Sequence, residues 1–206
     1  VFNEFEKRGK KIIYSLDYIR DQPEALTRAV TALHDTPAIL AWYVADEQPP
    51  DQRPEMMNRK ALINRLDPKH PTFAVYNQAN AMPQYGGTCD IYGFDLYPIR
   101  KGTTDILSYD LSYRQVAEAL GSSGGMLLWA VPQWLNWSAG TTPGQRQFSR
   151  WPTEHETLTM ALVSALHGAR GFIFYSYFDM LLEPGDYKKK WPEICRVAES
   201  LNELAP

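Results

Sequence analysis

Residues 38–50 read Ala38-Ile39-Leu40-Ala41-Trp42-Tyr43-Val44-Ala45-Asp46-Glu47-Gln48-Pro49-Pro50. An apolar run stops at two carboxylates and then two prolines. Branched and aromatic residues in such a run predict a strand buried on both faces. Alternation puts Tyr43, Ala45 and Glu47 on one face, and Trp42, Val44 and Asp46 on the other. The small Ala45 ahead of Glu47 suits the interior of a narrow barrel of parallel strands, whose functional groups gather at the carboxyl ends. Glu47 is thereby the candidate acid at the mouth of such a barrel.

Outward from this strand, the pattern repeats. Strands are predicted at 10–16, 72–77, 89–98, 125–133 and 170–177. Helices are predicted at 22–34, 54–66, 109–120, from Thr153 to about Leu166, and 191–204. A short amphipathic segment, Val1 to Arg8, precedes them, and Thr153 with Glu156 forms a capping-box pattern. Strand and helix alternate six times, which implies parallel pairing through right-handed crossovers. No Gly-rich phosphate turn follows any strand. Polar and aromatic residues follow nearly every strand: Asp17, Glu47, Asn77, Asp95 with Tyr97, Gln133 with Trp134, and Tyr175 with Tyr177. An open sheet would concentrate them at one switch point, whereas around a barrel every loop contributes. The expectation is an α/β chain, a (β/α)8 TIM barrel in a single domain over 1–206. A full barrel takes eight strands and about 250 residues. Six strands predict an incomplete barrel, with the first two strand–helix units missing. Its open edges should be covered by another segment of the protein or by a partner chain.

Composition narrows the function. A formal net charge of -3 gives no argument for nucleic acid or an anionic membrane surface. No apolar run reaches the length of a bilayer span. Cys89 and Cys195 lack metal spacing and read as buried thiols, with a disulfide as the alternative. The four histidines, His34, His70, His155 and His167, share no spacing that builds a metal triad. No cofactor is expected. The many Trp and Tyr residues suit either a core or a cleft that stacks sugar rings.

Several segments together resemble glycoside-hydrolase-like TIM barrels. They are Asp35-Thr36-Pro37 with Trp42-Tyr43-Val44-Ala45-Asp46-Glu47, Asp90 to Pro98, Arg150 to Glu156, and His167 to Phe172. The similarity runs over about residues 10–180. It is similar in kind to retaining glycosidases whose acid/base closes strand 4, which would make Lys11–Leu16 strand 3 and Phe172–Tyr177 strand 8. The resemblance implies Glu47 as general acid/base, a poly- or oligosaccharide substrate, and a secreted or periplasmic setting. It also exposes a departure. The nucleophile of such enzymes is a Glu at the end of strand 7, where this chain has Gln133.

Glycoside cleavage uses two carboxyl groups with separated pKa values. Desolvation of Glu47 among Trp42, Tyr43 and Trp129 would prepare it as a proton donor. The plainer alternative is a solvated Glu or a partner of Arg20, Arg53 or Arg100. Asp95, on the face of Gly93 and Tyr97, is the second catalytic candidate. Asp46 is expected to point the other way in a structural role, and Glu154 and Glu156 to cap a helix. Asn77, Tyr97, Gln133, Trp134 and Tyr175 are candidate substrate-binding residues, with Trp137 and Trp151 as further walls. Core packing is the alternative for each aromatic residue. The leading expectation is a glycoside hydrolase. Its rival is a catalytically silent carbohydrate-binding barrel, motivated by Gln133.

Overall fold

The computed structural model describes residues 2–122, 126–137, 149–182 and 185–204. In chain order, the elements are α1 (Phe2–Lys7), β1 (Ile12–Ser15), α2 (Pro23–Leu33), β2 (Ile39–Asp46), α3 (Arg53–Leu66), β3 (Thr72–Tyr76) and β4 (Ile91–Leu96). There follow a small hairpin, β5 (Ile99–Arg100) with β6 (Thr103–Thr104), then α4 (Ile106–Ser122), β7 (Leu127–Pro132), α5 (Glu154–Leu166), α6 (Asp179–Leu182) and α7 (Asp186–Leu204). Short 3-10 turns at Asp17–Ile19, Pro50–Gln52 and Ala79–Tyr85 fill three of the connections. The principal sheet has five strands in the order β1-β2-β3-β4-β7. The pairings β1/β2, β2/β3 and β3/β4 are parallel. The chain divides into two compact units, Val1–Phe94 with Glu118–Leu128, and Asp95–Ala117 with Trp129–Pro206.

In the first unit, the expected alternation is visible in the pairing. Tyr43, Phe73, Val75, Ile91 and Gly93 share one face through register. Trp42, Ala74, Tyr76, Tyr92 and Phe94 share the other, which helices cover. There the Tyr76 hydroxyl reaches Met56 Sδ of α3 at 3.9 Å, and the Tyr76 ring stacks on Tyr85 at 4.0 Å. Every residue of β3 is buried, as expected of a strand covered on both sides. Trp42 is anchored through Nε1, which donates to the buried Asp67 at 2.9 Å. The same carboxylate takes His70 Nδ1 at 2.7 Å. Cys89 is buried and Cys195 half-buried, and both are free thiols.

One departure in this unit bears on the site. The register of β2 on β3 slips between Tyr43 and Ala45, so that Ala45 lies opposite Ala74 and Asp46 opposite Val75. The slip makes Val44 an extra residue and shifts the alternation by one. Asp46, not Glu47, therefore continues the row of Val75, contrary to simple counting. Glu47 leaves the strand altogether, at φ 46°.

In the second unit, the predicted sixth strand runs beside β7 without forming a long regular ladder. Ala130 bridges Phe172 and Gln133 bridges Tyr175 in parallel. Trp134 N–H donates to Tyr175 O, and Ser176 N–H to Trp134 O at 2.9 Å. The capping box at Thr153 is present, with Glu156 donating its N–H to Thr153 Oγ1 at 3.2 Å. Helix α7 begins at Asp186, five residues ahead of the expected start at Trp191. Pro192 lies inside the helix. Most of the expected loop 134–151 lies outside the described residues. Among the described residues, no helix is long and apolar enough to cross a membrane.

Candidate functional site

The carboxyl end of β2 carries the acid that sequence reasoning singled out. Glu47 is exposed, and its backbone N–H donates to Val75 O at 2.9 Å. A positive φ at a residue with a Cβ is uncommon and costs on the order of 1 kcal/mol or more. Such conformations persist where the surroundings fix them, and they gather at functional sites. The expected desolvation by Trp42 does not occur: that indole is buried and turned to Asp67. Asp46 is exposed, and its N–H donates to Asp17 Oδ1 at 3.2 Å. Of the arginines weighed as partners, Arg20 binds Asp17 Oδ2 at 3.0 Å and Arg53 donates to Gly86 O at 2.7 Å. Asn77, one residue beyond β3, is exposed.

Sequence reasoning missed Arg59, which shapes this strand end. It lies on the buried stripe of α3 with Met56 and Ile63. Its guanidinium donates to Val44 O at 2.6 Å, to Gln48 Oε1 at 3.2 Å and to Arg20 O at 3.1 Å. Asp21 lies 3.6 Å away. Burial pulls the Arg59 pKa below its ordinary value, while Asp21 and Asp17 push it up. The signal was a charge at helical spacing within an apolar stripe, three residues after Met56 and four before Ile63.

The other predicted residues belong to the second unit. Asp95, near the end of β4, is buried, at 5% exposure. Its charge adds to burial in raising the Tyr109 and Tyr113 phenols of α4. Gln133 is fully buried. Its amide is held bidentately by the Ile99 backbone rather than left free for a ligand. Ile99 N–H donates to Oε1 at 2.8 Å, and Nε2 donates to Ile99 O at 2.9 Å. This clip fixes the chain just after Tyr97. Tyr97 stacks on Tyr175 at 5.8 Å and meets Trp137 edge-on at 5.9 Å. Arg100 lies over the Trp137 ring at 4.8 Å. Tyr175 is 50% exposed and Trp137 36% exposed, so the cluster presents aromatic surface to solvent. Trp134, by contrast, is buried, with its Nε1 on Met180 Sδ and Lys190 Nζ 5.2 Å from its ring. Trp151 donates to Asp186 Oδ2 and is half-buried.

These two arrays offer two kinds of chemistry. An exposed carboxyl on a constrained turn can give or take a proton. Stacked phenols with an indole and a guanidinium can bind a ring with an apolar C–H face and polar edges.

No family model matches the chain, and no curated protein matches it. Among solved structures, it is similar to a protein of Bacteroides thetaiotaomicron provisionally described as an α-L-fucosidase. The TM-score is 0.67 at 11% identity, covering 96% of this chain and 70% of that one. It is also similar to a GH2 β-galacturonidase from Eisenbergiella tayi, with a TM-score of 0.53 at 14% identity, covering 80% of this chain and 31% of that one. A β-D-glucuronidase of Dictyoglomus thermophilum gives 0.52 at 12% identity, covering 75% and 28%. The chain spans less than a third of the length of these two glycuronidases. The likeness is one of fold, and these neighbours are described as glycoside hydrolases.

Proposed function

We propose that this chain is the greater part of a (β/α)8 barrel that hydrolyses glycosidic bonds in a poly- or oligosaccharide, with Glu47 as general acid/base. The observation that carries the reading is Glu47 itself. It is an exposed carboxylic acid held at a positive φ, one residue past a parallel strand, in a fold shared with glycoside hydrolases. In this reading, Glu47 protonates the leaving oxygen. Asn77, in the same unit as Glu47, meets the sugar, and Tyr97 and Tyr175 of the second unit are proposed as sugar-stacking residues in their own right. In that unit, Gln133 fixes the chain just after Tyr97 through Ile99, and Trp134 packs with Met180. No cofactor takes part. Further strands complete the barrel beyond the outer edge of β1, from another segment or a partner chain.

The test is turnover of a panel of 4-nitrophenyl glycosides by the wild-type chain and by Glu47→Gln. The reading expects release of 4-nitrophenol from at least one glycoside, and a loss of about 10²–10⁴-fold in the variant. Glu47 is exposed, so the substitution should leave the fold intact. Equal turnover by the two proteins ends the assignment. Sugar binding without turnover in either protein would favour a silent carbohydrate-binding barrel.

A further inference from the structure

We infer that Arg59 is a positioning residue, whose guanidinium holds the turn Asp46-Glu47-Gln48 at the end of β2. The catalytic part of this inference rests on the reading of Glu47 above; the structural part does not.

Strand β2 slips by one residue against β3 between Tyr43 and Ala45. An extra residue in one strand leaves backbone groups outside the ladder. Val44 is that residue, and its carbonyl accepts from Arg59 at 2.6 Å. A second bond from the same nitrogen goes to Gln48 Oε1 at 3.2 Å, on the far side of Glu47. One guanidinium therefore grips the chain both before and after the candidate acid. Its Nε spans to Arg20 O at 3.1 Å, and Nη2 faces Asp21 at 3.6 Å. The turn after β1 is tied in a second time, since Asp17 accepts from Asp46 N–H and from Arg20. Gln48 is further pinned by the Tyr85 hydroxyl, which donates to its carbonyl at 3.0 Å.

A buried arginine is costly unless each donor finds an acceptor. Met56 and Ile63 show that an apolar residue would suit the same stripe of α3. The charge is explained by its targets, which lie at the two ends of one acidic turn. The left-handed φ of Glu47 needs such an external restraint.

The test uses Arg59→Met and Arg59→Lys beside Glu47→Gln. Amide hydrogen exchange is followed at Asp46 and Glu47 and, for comparison, at Phe73 to Val75 of β3. Hydrolysis of whichever 4-nitrophenyl glycoside the wild-type chain cleaves is resolved into kcat and KM. In Arg59→Met, exchange at Asp46 and Glu47 should rise at least about tenfold while β3 stays protected. The kcat should fall about 100-fold, as misplacement of a reacting group by about 1 Å can do, with KM within about threefold. Arg59→Lys keeps the charge but not the fork, so it should lie between, and it carries the test if the Met variant does not fold. Unchanged exchange at residues 46 and 47, or an equal rise across β3, overturns the positioning role. So does unchanged kcat in a variant whose turn has loosened, provided Glu47→Gln is inactive. If Glu47→Gln keeps full turnover, the reading of Glu47 fails, and the exchange data alone decide what Arg59 holds.

Discussion

Gly93 has no room for a methyl group. A Cβ built there would lie 2.8 Å from Phe73 Cζ and 2.8 Å from Val75 Cγ2, so the neighbouring strand's side chains occupy its place. Gly93→Ala should therefore destabilise by about 1–3 kcal/mol, the usual result of overpacking, read as a lower urea midpoint at unchanged slope. Gly121 in α4 is the contrast. Nothing lies within 4 Å of its would-be Cβ, and Gly121→Ala should be neutral or stabilising by up to about 1 kcal/mol in the same assay. The two cysteines also part company at this scale. Burial pushes the Cys89 thiol up to about 12, whereas Cys195 is half-buried on α7. Iodoacetamide at pH 8 should label Cys195 in the native protein and both thiols in urea, checked by peptide mass. Labelling of native Cys89 would contradict the packing around Tyr76. The sequence showed both thiols as free of metal spacing. It could not rank their burial, which depends on β3 and the Ala79–Tyr85 turn closing over Cys89.

The start of α5 is the clearest case of an element written into the sequence. Thr153 and Glu156 predict a capping box from spacing alone, and both of its bonds form. What spacing does not show is the reinforcement. Arg150 grips both oxygens of Glu156, at 2.7 and 2.6 Å, and Thr104 of β6 adds a third contact at 3.0 Å. The Arg150 guanidinium holds the Glu156 carboxyl at about 2, against an ordinary 4.5 and despite partial burial. The pKa is depressed in the folded state. Its stabilisation is thus complete above pH about 4.5 and lost as pH falls toward about 2. Stability curves of wild type and Glu156→Gln should lie a constant distance apart above pH about 4.5 and converge as pH falls toward about 2. A separation that stays constant from pH about 4.5 down to about 2 would show that the ion pair adds no pH-linked stability. Thr153→Ala should cost about 1 kcal/mol through the cap. The end of β2 shows the opposite kind of legibility. Counting by two placed Glu47 in the row of Tyr43, and a single extra residue at Val44 undid the count. A register slip depends on which neighbour supplies the missing hydrogen bond. Here that neighbour is Arg59, fifteen residues away, which no local pattern names.

At the scale of the molecule, alternating strands and helices were readable because parallel strands buried on both faces carry continuous apolar runs. All the expected strands are found, the last as paired bridges beside β7 rather than as a full ladder. The place of Glu47 just past the end of its strand was readable too, because an Asp-Glu pair before Pro49-Pro50 ends that strand abruptly. The roles of Gln133 and Trp134 were not. A buried amide and a buried indole look the same in sequence as exposed ones, and only the fold shows Gln133 spent on Ile99 and Trp134 packed with Met180. The account stands on Glu47 as the proton donor to a departing oxygen, and leaving-group dependence tests that most directly. A good leaving group such as 2,4-dinitrophenolate needs little protonation, whereas a sugar alcohol needs much. Comparing kcat/KM of wild type and Glu47→Gln on the 2,4-dinitrophenyl glycoside and on the matching disaccharide, the account predicts a loss of about 10²–10⁴-fold on the disaccharide. On the dinitrophenyl substrate, it predicts a loss of less than about tenfold in kcat/KM, most of the proton's work being unnecessary there. Equal losses on both substrates, or none on either, would contradict it.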